Sequence, residues 1–550
     1  MKKILLFLCF SIYINTEAQN LKQILWDDES LLSSIDYNSL ESLIDNPSGD
    51  DFNFTISYKT KVKGFGINII LDTYNIQKDF NLNSIPEFEF EITSRQGIVE
   101  PKNRYIKSDH GFYNFYVGQG INSINADEIY STVILPIAFL HKNANCVHNG
   151  ILIFSIEKNN ISNGILQISS ETCAYLKFDL IAVLDMDNQL IESLNNEPHL
   201  NSLNGEIKSI SNLYNQYDIQ PGSFADLPYF FSENDHVTIS GLIDGSNHYS
   251  NNCFTRSGLY PLCDELLLPS YSLAKSLAGT ITIALIQNKH KNITSESVTT
   301  IKECQASGWE SVTFEDLSDM ASGHYIKSKF DYDENSLVHA TFLFEAQTHD
   351  EKIEIACNSF PRKKNPGKKF VYRTSDTYIL GTGVNEFIRE KGMGDDYFND
   401  ILIPFFNDLE LSSSIKYSLR TFDGKSQAYT GWGMYLIRDD LKKLSTFLHK
   451  VKNNDDSFIF LHDALNPDNA NSNIAIRSAD IFYNNGFWSR KFDGHKFGCN
   501  DDVWIPFMSG FGGITFAFFP NKMSYYYFSD EYIYSWEDAV FASHQIRPFC

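Results

Sequence analysis

Basic residues are scarce in this chain: 45 Lys and Arg stand against 69 Asp and Glu, a formal net charge of -24 over 550 residues. Without a cationic surplus there is little to displace the counterions of a phosphate backbone, which argues against nucleic acid as a partner. The same deficit disfavours docking on anionic membrane surfaces. Beyond the first residues no apolar run is long enough to span a bilayer; Ile281–Ile286 lies in a short, interrupted stretch and reads as a core helix. The chain contains no H-E-x-x-H, no C-x-x-C or Cys/His zinc spacing, and no glycine-rich phosphate loop after a strand. It has no internal repeat and no low-complexity tract. Neither a metal nor a cofactor is expected.

What is present is apolar bulk. Hydrophobic residues make up 43% and aromatic residues 14% of the chain, which excludes a mostly disordered protein, and the length suits more than one domain. Met1, Lys2 and Lys3 precede an apolar run, Ile4–Ile14, and Thr16-Glu17-Ala18 supplies a small residue at the cleavage position. This pattern predicts a secretory signal over residues 1–18 and a mature protein that is periplasmic or secreted. Cys9 falls inside that run. Eight cysteines remain, an even number that favours disulfides in an exported chain, with 105 possible connectivities. Their spacing suggests that neighbours pair: Cys146–Cys173, Cys253–Cys263, Cys304–Cys357 and Cys499–Cys550.

From about Asp51 to Leu190 the pattern is of short strands with period two: Phe52–Lys61, Gly66–Tyr74, Glu87–Thr93, Glu128–Leu140, Gly150–Glu157 and Leu176–Leu184, separated by Asn, Asp, Gly and Ser. That texture predicts a β-sandwich or similar antiparallel domain. Residues 191–225, with Asn195, Asn196, Asn201, Asn204, Pro221 and Gly222, read as its linker, so the N-terminal β-rich domain and linker span 19–225. After about Phe230 the texture becomes α+β. A strand at Val237–Leu242 is followed by a helix over Ser272–Asn288. Thr313-Phe314-Glu315-Asp316-Leu317 is a helix start of capping-box type, with Ser322-Gly323 as a stop. Helices follow at Ser375–Lys391 and Asp439–Lys452, then aromatic strands over Gly513–Asp530. Asp331-x-Asp333-x-Asn335 opens like a calcium loop but lacks the glycine and glutamate that complete one, and reads as a solvated loop. Asp463, Asp468 and nearby Asn residues form a second oxygen-rich stretch.

The candidate nucleophile is Ser272, in Ser272-Leu273-Ala274-Lys275. Ser155/Lys158 and Ser413/Lys416 share the S-x-x-K spacing, but the first lies in a strand, where positions three apart face opposite sides, and the second has no apolar helix behind it. Ser272 opens a helix whose later residues, Ala278, Ile281, Ala284 and Leu285, are apolar. Ser and Lys three apart share a helix face, so the amine reaches the hydroxyl. The helix N-terminus offers positive potential and free N–H groups to an oxyanion, and partial burial would favour the neutral amine. The bland alternative is an N-cap serine followed by a surface lysine.

Two later segments favour catalysis. Phe370-Val371-Tyr372-Arg373-Thr374-Ser375 leads from a loop into an apolar helix, and Met508-Ser509-Gly510-Phe511-Gly512-Gly513 precedes an aromatic strand. S-x-x-K, then a Tyr motif, then a glycine-containing strand motif resembles the serine β-lactamase and penicillin-binding-protein superfamily. The resemblance is nearest to its esterase and 6-aminohexanoate-dimer-hydrolase branch. Val312–Gly323 is similar to that family's helix "VTIEDLLxMTSG", and Gly431-Trp432-Gly433-Met434-Tyr435 before Asp439-Asp440-Leu441 adds to it. The similarity covers roughly Asp235 to Asp530, and residues 19–225 take no part in it.

The resemblance implies a β-lactamase-like domain over 226–550, an antiparallel sheet flanked by helices. Ser272 would be the acylated nucleophile, Lys275 its general base, and Tyr372 the phenol that passes the proton to the leaving group. The oxyanion would be met by the N–H groups of Ser272 and Phe511, the latter on an edge strand, with Ser509 and Gly510 completing the substrate-binding segment. Where the family has Tyr-x-Asn, Thr374 takes the Asn place; where it has Lys-Thr-Gly or His-x-Gly, Met508-Ser509-Gly510 carries no cation. That cation holds a substrate carboxylate, so its loss points away from β-lactams and peptidoglycan stems and toward a neutral ester or amide, small or oligomeric. Other readings are a D,D-peptidase and a non-catalytic binding or envelope protein on the same scaffold. Structural alternatives to the catalytic roles are Tyr372 as a core aromatic and the glycine-rich segment as a hairpin turn.

Overall fold

A computed structural model describes residues 25–26, 34–124, 129–191, 207–208, 237–250, 253–305, 308–454, 456–467, 474–475, 480–534 and 536–550. The expected signal at 1–18, most of the linker at 191–225, and Asp468 lie outside the described residues.

The strands expected between Asp51 and Leu190 are β1 (Phe52–Asp72), β2 (Phe88–Arg95), β3 (Ile98–Pro101), β4 (Tyr105–Ile106), β5 (Tyr113–Val117), β6 (Gly120–Ile124), β7 (Ser131–His141), β8 (Val147–Glu157), β9 (Asn160–Ile161), β10 (Gly164–Glu171) and β11 (Leu176–Leu190). They form one sheet in the order β4-β5-β7-β6-β3-β2-β1-β11-β10-β8-β9, and β7 also pairs with β8. The ring β7-β6-β3-β2-β1-β11-β10-β8 is therefore closed. The structure has a barrel where a sandwich was expected. Alternation and turn punctuation are common to both architectures; closure depends on the distant pairing of β1 with β11, which alternation does not encode. The two strands expected at Phe52–Lys61 and Gly66–Tyr74 are the single strand β1, whose register against β11 shifts between Tyr58 and Val62 and again by Gly64. Such irregularities bend a strand enough for a sheet to curl.

Alternate residues fill the barrel: Phe54 and Ile56 of β1, Phe90 of β2, Val133 and Leu135 of β7, Phe154 of β8 and Leu180 of β11 share one buried cluster. β7 is buried along its whole length, because its other face is also covered. Ile134, Ala138 and Leu140, with Ile151 and Ile153 of β8, join the core of the C-terminal half beside Leu266, Leu267 and Leu268.

The C-terminal half is mixed helix and sheet. Its sheet comprises β12 (Ile207–Lys208), β13 (Val237–Asp244), β14 (Asn247–Ser250), β19 (Ile474–Ala475), β20 (Ile481–Asn484), β21 (Phe487–Phe492), β22 (Val503–Gly510), β23 (Ile514–Phe518) and β24 (Met523–Ser529), in the order β12-β14-β13-β24-β23-β22-β21-β20-β19. Its pairings are antiparallel except β12 with β14. Two ribbons, β15 (Phe254–Thr255) with β16 (Gly258–Leu259) and β17 (Leu268–Pro269) with β18 (Tyr435–Leu436), complete the strands. One sheet face, with Ile514, Phe516 and Phe528, meets the helices that follow Ser272; the other packs Tyr525, Tyr527 and Phe519 against Ala539, Val540 and Ala542 of the helix Glu537–Ile546.

Local signals hold closely. Thr313 and Asp316 form the expected capping box of the helix Phe314–Ser318, and the helices expected from Ser375 and Asp439 run Thr374–Glu390 and Arg438–Asn454. All four expected cysteine pairs are joined, Cys146–Cys173, Cys253–Cys263, Cys304–Cys357 and Cys499–Cys550. Among the described residues no helix is long and apolar enough to cross a membrane.

Candidate active site

The chain leaves β17 through Ser270 into a tight turn. Tyr271 takes the left-handed conformation, φ +40°, which costs a non-glycine residue on the order of 1–3 kcal/mol and persists only where the surroundings enforce it. Leu273, Ala274 and Lys275 then donate backbone hydrogen bonds to Ser270, Tyr271 and Ser272 at 3.0, 3.1 and 3.1 Å. The helix continues as a π-wound segment, Lys275–Thr280, and an α segment, Ile281–Gln287. Wide π turns concentrate at functional positions, and this one begins at the candidate base.

Lys275 is 2% exposed. Its Nζ lies 2.9 Å from Ser272 Oγ, 3.0 Å from Thr374 Oγ1 and 3.2 Å from the carbonyl oxygen of Gly431. The Tyr372 ring centroid is 4.9 Å from the same nitrogen. The serine, the lysine, the Tyr motif and the Gly431–Tyr435 segment therefore meet at one point. Gly431 is required there: a Cβ would run into Thr377 Oγ1 and lie 2.9 Å from Thr374 Cγ2. Burial lowers the Lys275 amine to a pKa of about 8, against the opposing charge of Glu334. Burial pushes the Tyr372 phenol well above its ordinary value, opposed by a hydrogen bond with Ser272.

Tyr372 is followed by a buried ion pair that anchors the motif. The Arg373 guanidinium donates to Asp376 and to the carbonyl of His324, and Ser322 Oγ donates to Asp376 at 2.8 Å. The guanidinium also lies 3.9 Å from the Phe360 ring centroid. Thus the Ser322-Gly323 stop holds the start of the helix that carries Thr374.

The third segment comes to the same place. A Cβ on Gly510 would sit 3.1 Å from the Ser270 carbonyl and 3.2 Å from Leu273. Ser509, half-buried, pairs with Thr515 of β23. The Phe511 ring lies 5.7 Å from Tyr271, 5.2 Å from Tyr532 and 6.3 Å from Tyr175 of the barrel. β22 is an interior strand and not the edge strand expected, since β21 pairs with it from Val503 to Phe507. Only its last residues, 508–510, run beyond that pairing among the described residues.

Two contributors escaped the sequence reading. Asn145, in the β7–β8 connection of the barrel, is 1% exposed. Its Oδ1 accepts from the N–H groups of Tyr271 (2.7 Å) and Gly433 (2.9 Å) and from Ser270 Oγ (3.0 Å), while its Nδ2 donates to the Met434 carbonyl at 3.2 Å. One side chain therefore holds the strained turn before Ser272. Nearby, Asn143 accepts from Tyr429 Oη and Trp432 Nε1, each at 2.9 Å. Lys142-Asn143-Ala144-Asn145 reads only as turn chemistry, and nothing local tells where it docks.

The second is Glu334. Its carboxylate accepts from the Thr374 N–H at 2.9 Å and from the Thr374 hydroxyl, and His339 Nε2 lies 3.5 Å away. Asp331-x-Asp333-x-Asn335 is not the solvated loop expected. Asp333 is buried and accepts from the N–H groups of Ile326 and Lys327 at 2.8 and 2.9 Å, which folds the loop inward and presents Glu334 to the site. A run of acidic residues resembles a solvated face, and no local pattern separates the one that turns in.

No protein-family model and no curated protein matches this chain. Among solved structures, it is similar to a Bacillus anthracis protein assigned as a 6-aminohexanoate-dimer hydrolase, at 16% identity, TM-score 0.41, over 58% of this chain and 80% of that one. It is also similar to a D-alanine carboxypeptidase from Burkholderia cenocepacia, at 11% identity, TM-score 0.41, over 61% and 98%. A third is an octameric penicillin-binding-protein homologue from Pyrococcus abyssi, at 14% identity, TM-score 0.43, over 61% and 77%.

Proposed function

We propose that this chain is a serine hydrolase that cleaves an ester or amide through an acyl-enzyme. The observation that carries the reading is the buried Lys275 amine, 2.9 Å from Ser272 Oγ, with Thr374 Oγ1 and the Gly431 carbonyl as its other partners. A neutral amine has two N–H groups and one lone pair. With the N–H groups on those two acceptors, the lone pair faces Ser272, the arrangement a general base needs.

In this mechanism the Ser272 hydroxyl proton passes to Lys275 as Oγ bonds to the substrate carbonyl carbon. Tyr372 conveys a proton to the leaving group, and water then hydrolyses the acyl-enzyme. The backbone N–H groups of Ser272 and Phe511 donate to no group among the described residues, which supports a role for them at the oxyanion. Met508-Ser509-Gly510 supplies no cation for a substrate carboxylate, which favours a neutral ester or amide. Four disulfides and the predicted signal support an exported protein. The domain division at 225/226 belongs to the same proposal.

Hydrolysis of p-nitrophenyl acetate and butyrate, measured for the protein and for Ser272→Ala, tests this reading. Turnover that vanishes in the variant supports it, as does a fluorophosphonate adduct on Ser272. Labelling on another residue overturns it.

A further inference from the structure

Thr374 hydroxyl chemistry is decided by what lies behind it. The hydroxyl has one hydrogen, and the structure aims it at Glu334, whose carboxylate can only accept. Its oxygen is thereby committed to accepting from Lys275 Nζ, 3.0 Å away. Glu334 is itself held on both sides, by the Thr374 N–H at the start of the helix Thr374–Glu390 and by His339. Anions are favoured at that helix end. A continuous chain thus runs from Ser272 through Lys275 and Thr374 to Glu334.

Resting on the serine-hydrolase reading, we propose that Glu334 is a positioning residue for the Ser272–Lys275 pair. Acting through Thr374, it fixes the hydroxyl as an acceptor, so that the neutral lysine directs its two N–H groups to Thr374 and Gly431 and its lone pair to Ser272. Without that constraint Thr374 could donate to the amine and take the lone pair away from the serine. The role accounts for a threonine where Tyr-x-Asn has asparagine: an amide would bring its own donor and acceptor, whereas a hydroxyl has one hydrogen for the carboxylate to claim.

Glu334 has a second effect, through charge. The titratable groups that face Lys275 are Tyr372, whose ring it approaches, Glu334 beyond Thr374, and His339 beyond Glu334. The Gly431 segment offers a carbonyl only. Glu334 favours the protonated amine, so removing its charge makes Lys275 easier to deprotonate. Glu334→Gln should therefore lower the rate yet move its rise with pH to lower pH, two changes in opposite senses that simple loosening would not produce.

The test is the second-order rate at which a fluorophosphonate probe labels Ser272 in the full chain, measured from about pH 5 to 10. Glu334→Gln is expected to reduce the high-pH plateau at least about tenfold, a part of the roughly 10²–10⁴-fold that a general base supplies, and to shift the acid limb downward. Thr374→Val is expected to match that loss, and Thr374→Ser to stay within a few-fold of the wild-type rate. Where Glu334→Gln fails to fold, judged by thermal melting, the Val and Ser pair decides. A Glu334→Gln protein with an unchanged plateau and acid limb, or a Thr374→Val as reactive as Thr374→Ser, overturns the role of Glu334 alone. Wild-type protein that takes no label at Ser272 overturns the hydrolase reading and this role with it.

Discussion

On the proposed mechanism, Lys275 must shed a proton before it can take one from Ser272. Burial, with no carboxylate in direct contact among the described residues, lowers its pKa to about 8, with Glu334 opposing from behind Thr374. If Lys275 is the base, the active form is the neutral amine, so activity is expected to be lost as pH falls through that value and to rise to a plateau above it. The pH dependence of kcat/KM on p-nitrophenyl butyrate is expected to show an acid limb near 8; a limb near 4 or 6.5 would assign the base to a carboxylate or a histidine instead. Lys275→Arg is expected to reduce kcat/KM by about 10²–10⁴, because a guanidinium stays protonated across that range. The Ser–Lys pair was legible in the sequence because three-residue spacing on a helix is local geometry. Glu334 was not, because its placement depends on Asp333 turning the loop inward through two backbone amides.

The β7–β8 connection of the barrel shapes the candidate site as directly as the helix that carries Lys275. Asn145 satisfies two buried N–H groups and a hydroxyl around the turn, and Tyr271 keeps its left-handed backbone within that frame. Truncating the side chain leaves the Tyr271 and Gly433 N–H groups unpaired, at about 1–3 kcal/mol for each that water cannot reach, while the Ser270 hydroxyl keeps the Tyr271 carbonyl at 3.2 Å. Asn145→Ala is expected to lower the melting temperature and to reduce kcat at least about tenfold with a smaller change in KM, as Ser272 loses its alignment. Asn145→Asp, which keeps the acceptors and loses the donor to Met434, should fall between the two. Equal kcat in all three proteins would show that the turn holds its shape without Asn145. At this scale the sequence was informative wherever an element is set by neighbours, as in the Thr313–Asp316 capping box. It was silent where the partner lies far away: Asn145 meets Tyr271 across 126 residues, and β1 closes the barrel against β11.

The barrel and the helix–sheet half share one core, and that decides how the molecule should unfold. Ile134, Ile151 and Ile153 of the barrel pack with Leu266–Leu268, directly upstream of the turn that precedes Ser272. Polar bonds cross the same seam. Arg104 pairs with Glu265 at 2.6 Å, the two side chains 9% and 5% exposed, and Glu171 pairs with Arg256 at 2.8 Å. Asn149 of β8 exchanges two hydrogen bonds with Leu267, at 3.0 and 3.1 Å, as a further strand residue would. Breaking a buried ion pair from one side typically costs about 3–5 kcal/mol, because the remaining charge stays buried. Arg104 has a second carboxylate in Glu100, 3.0 Å away, so Glu265→Ala should fall at or below the low end of that range. Separation of the halves would expose an apolar face and several buried polar groups together, so neither half should persist once the other melts. Calorimetry is accordingly expected to show one transition whose van't Hoff and calorimetric enthalpies agree, with Glu265→Ala lowering the melting temperature while leaving that single transition intact. Two resolved transitions in the unmodified protein would mean that the seam is weaker than its buried contacts imply, and that the barrel holds Ser270 and Tyr271 only as a docked partner and not as part of the same cooperative unit.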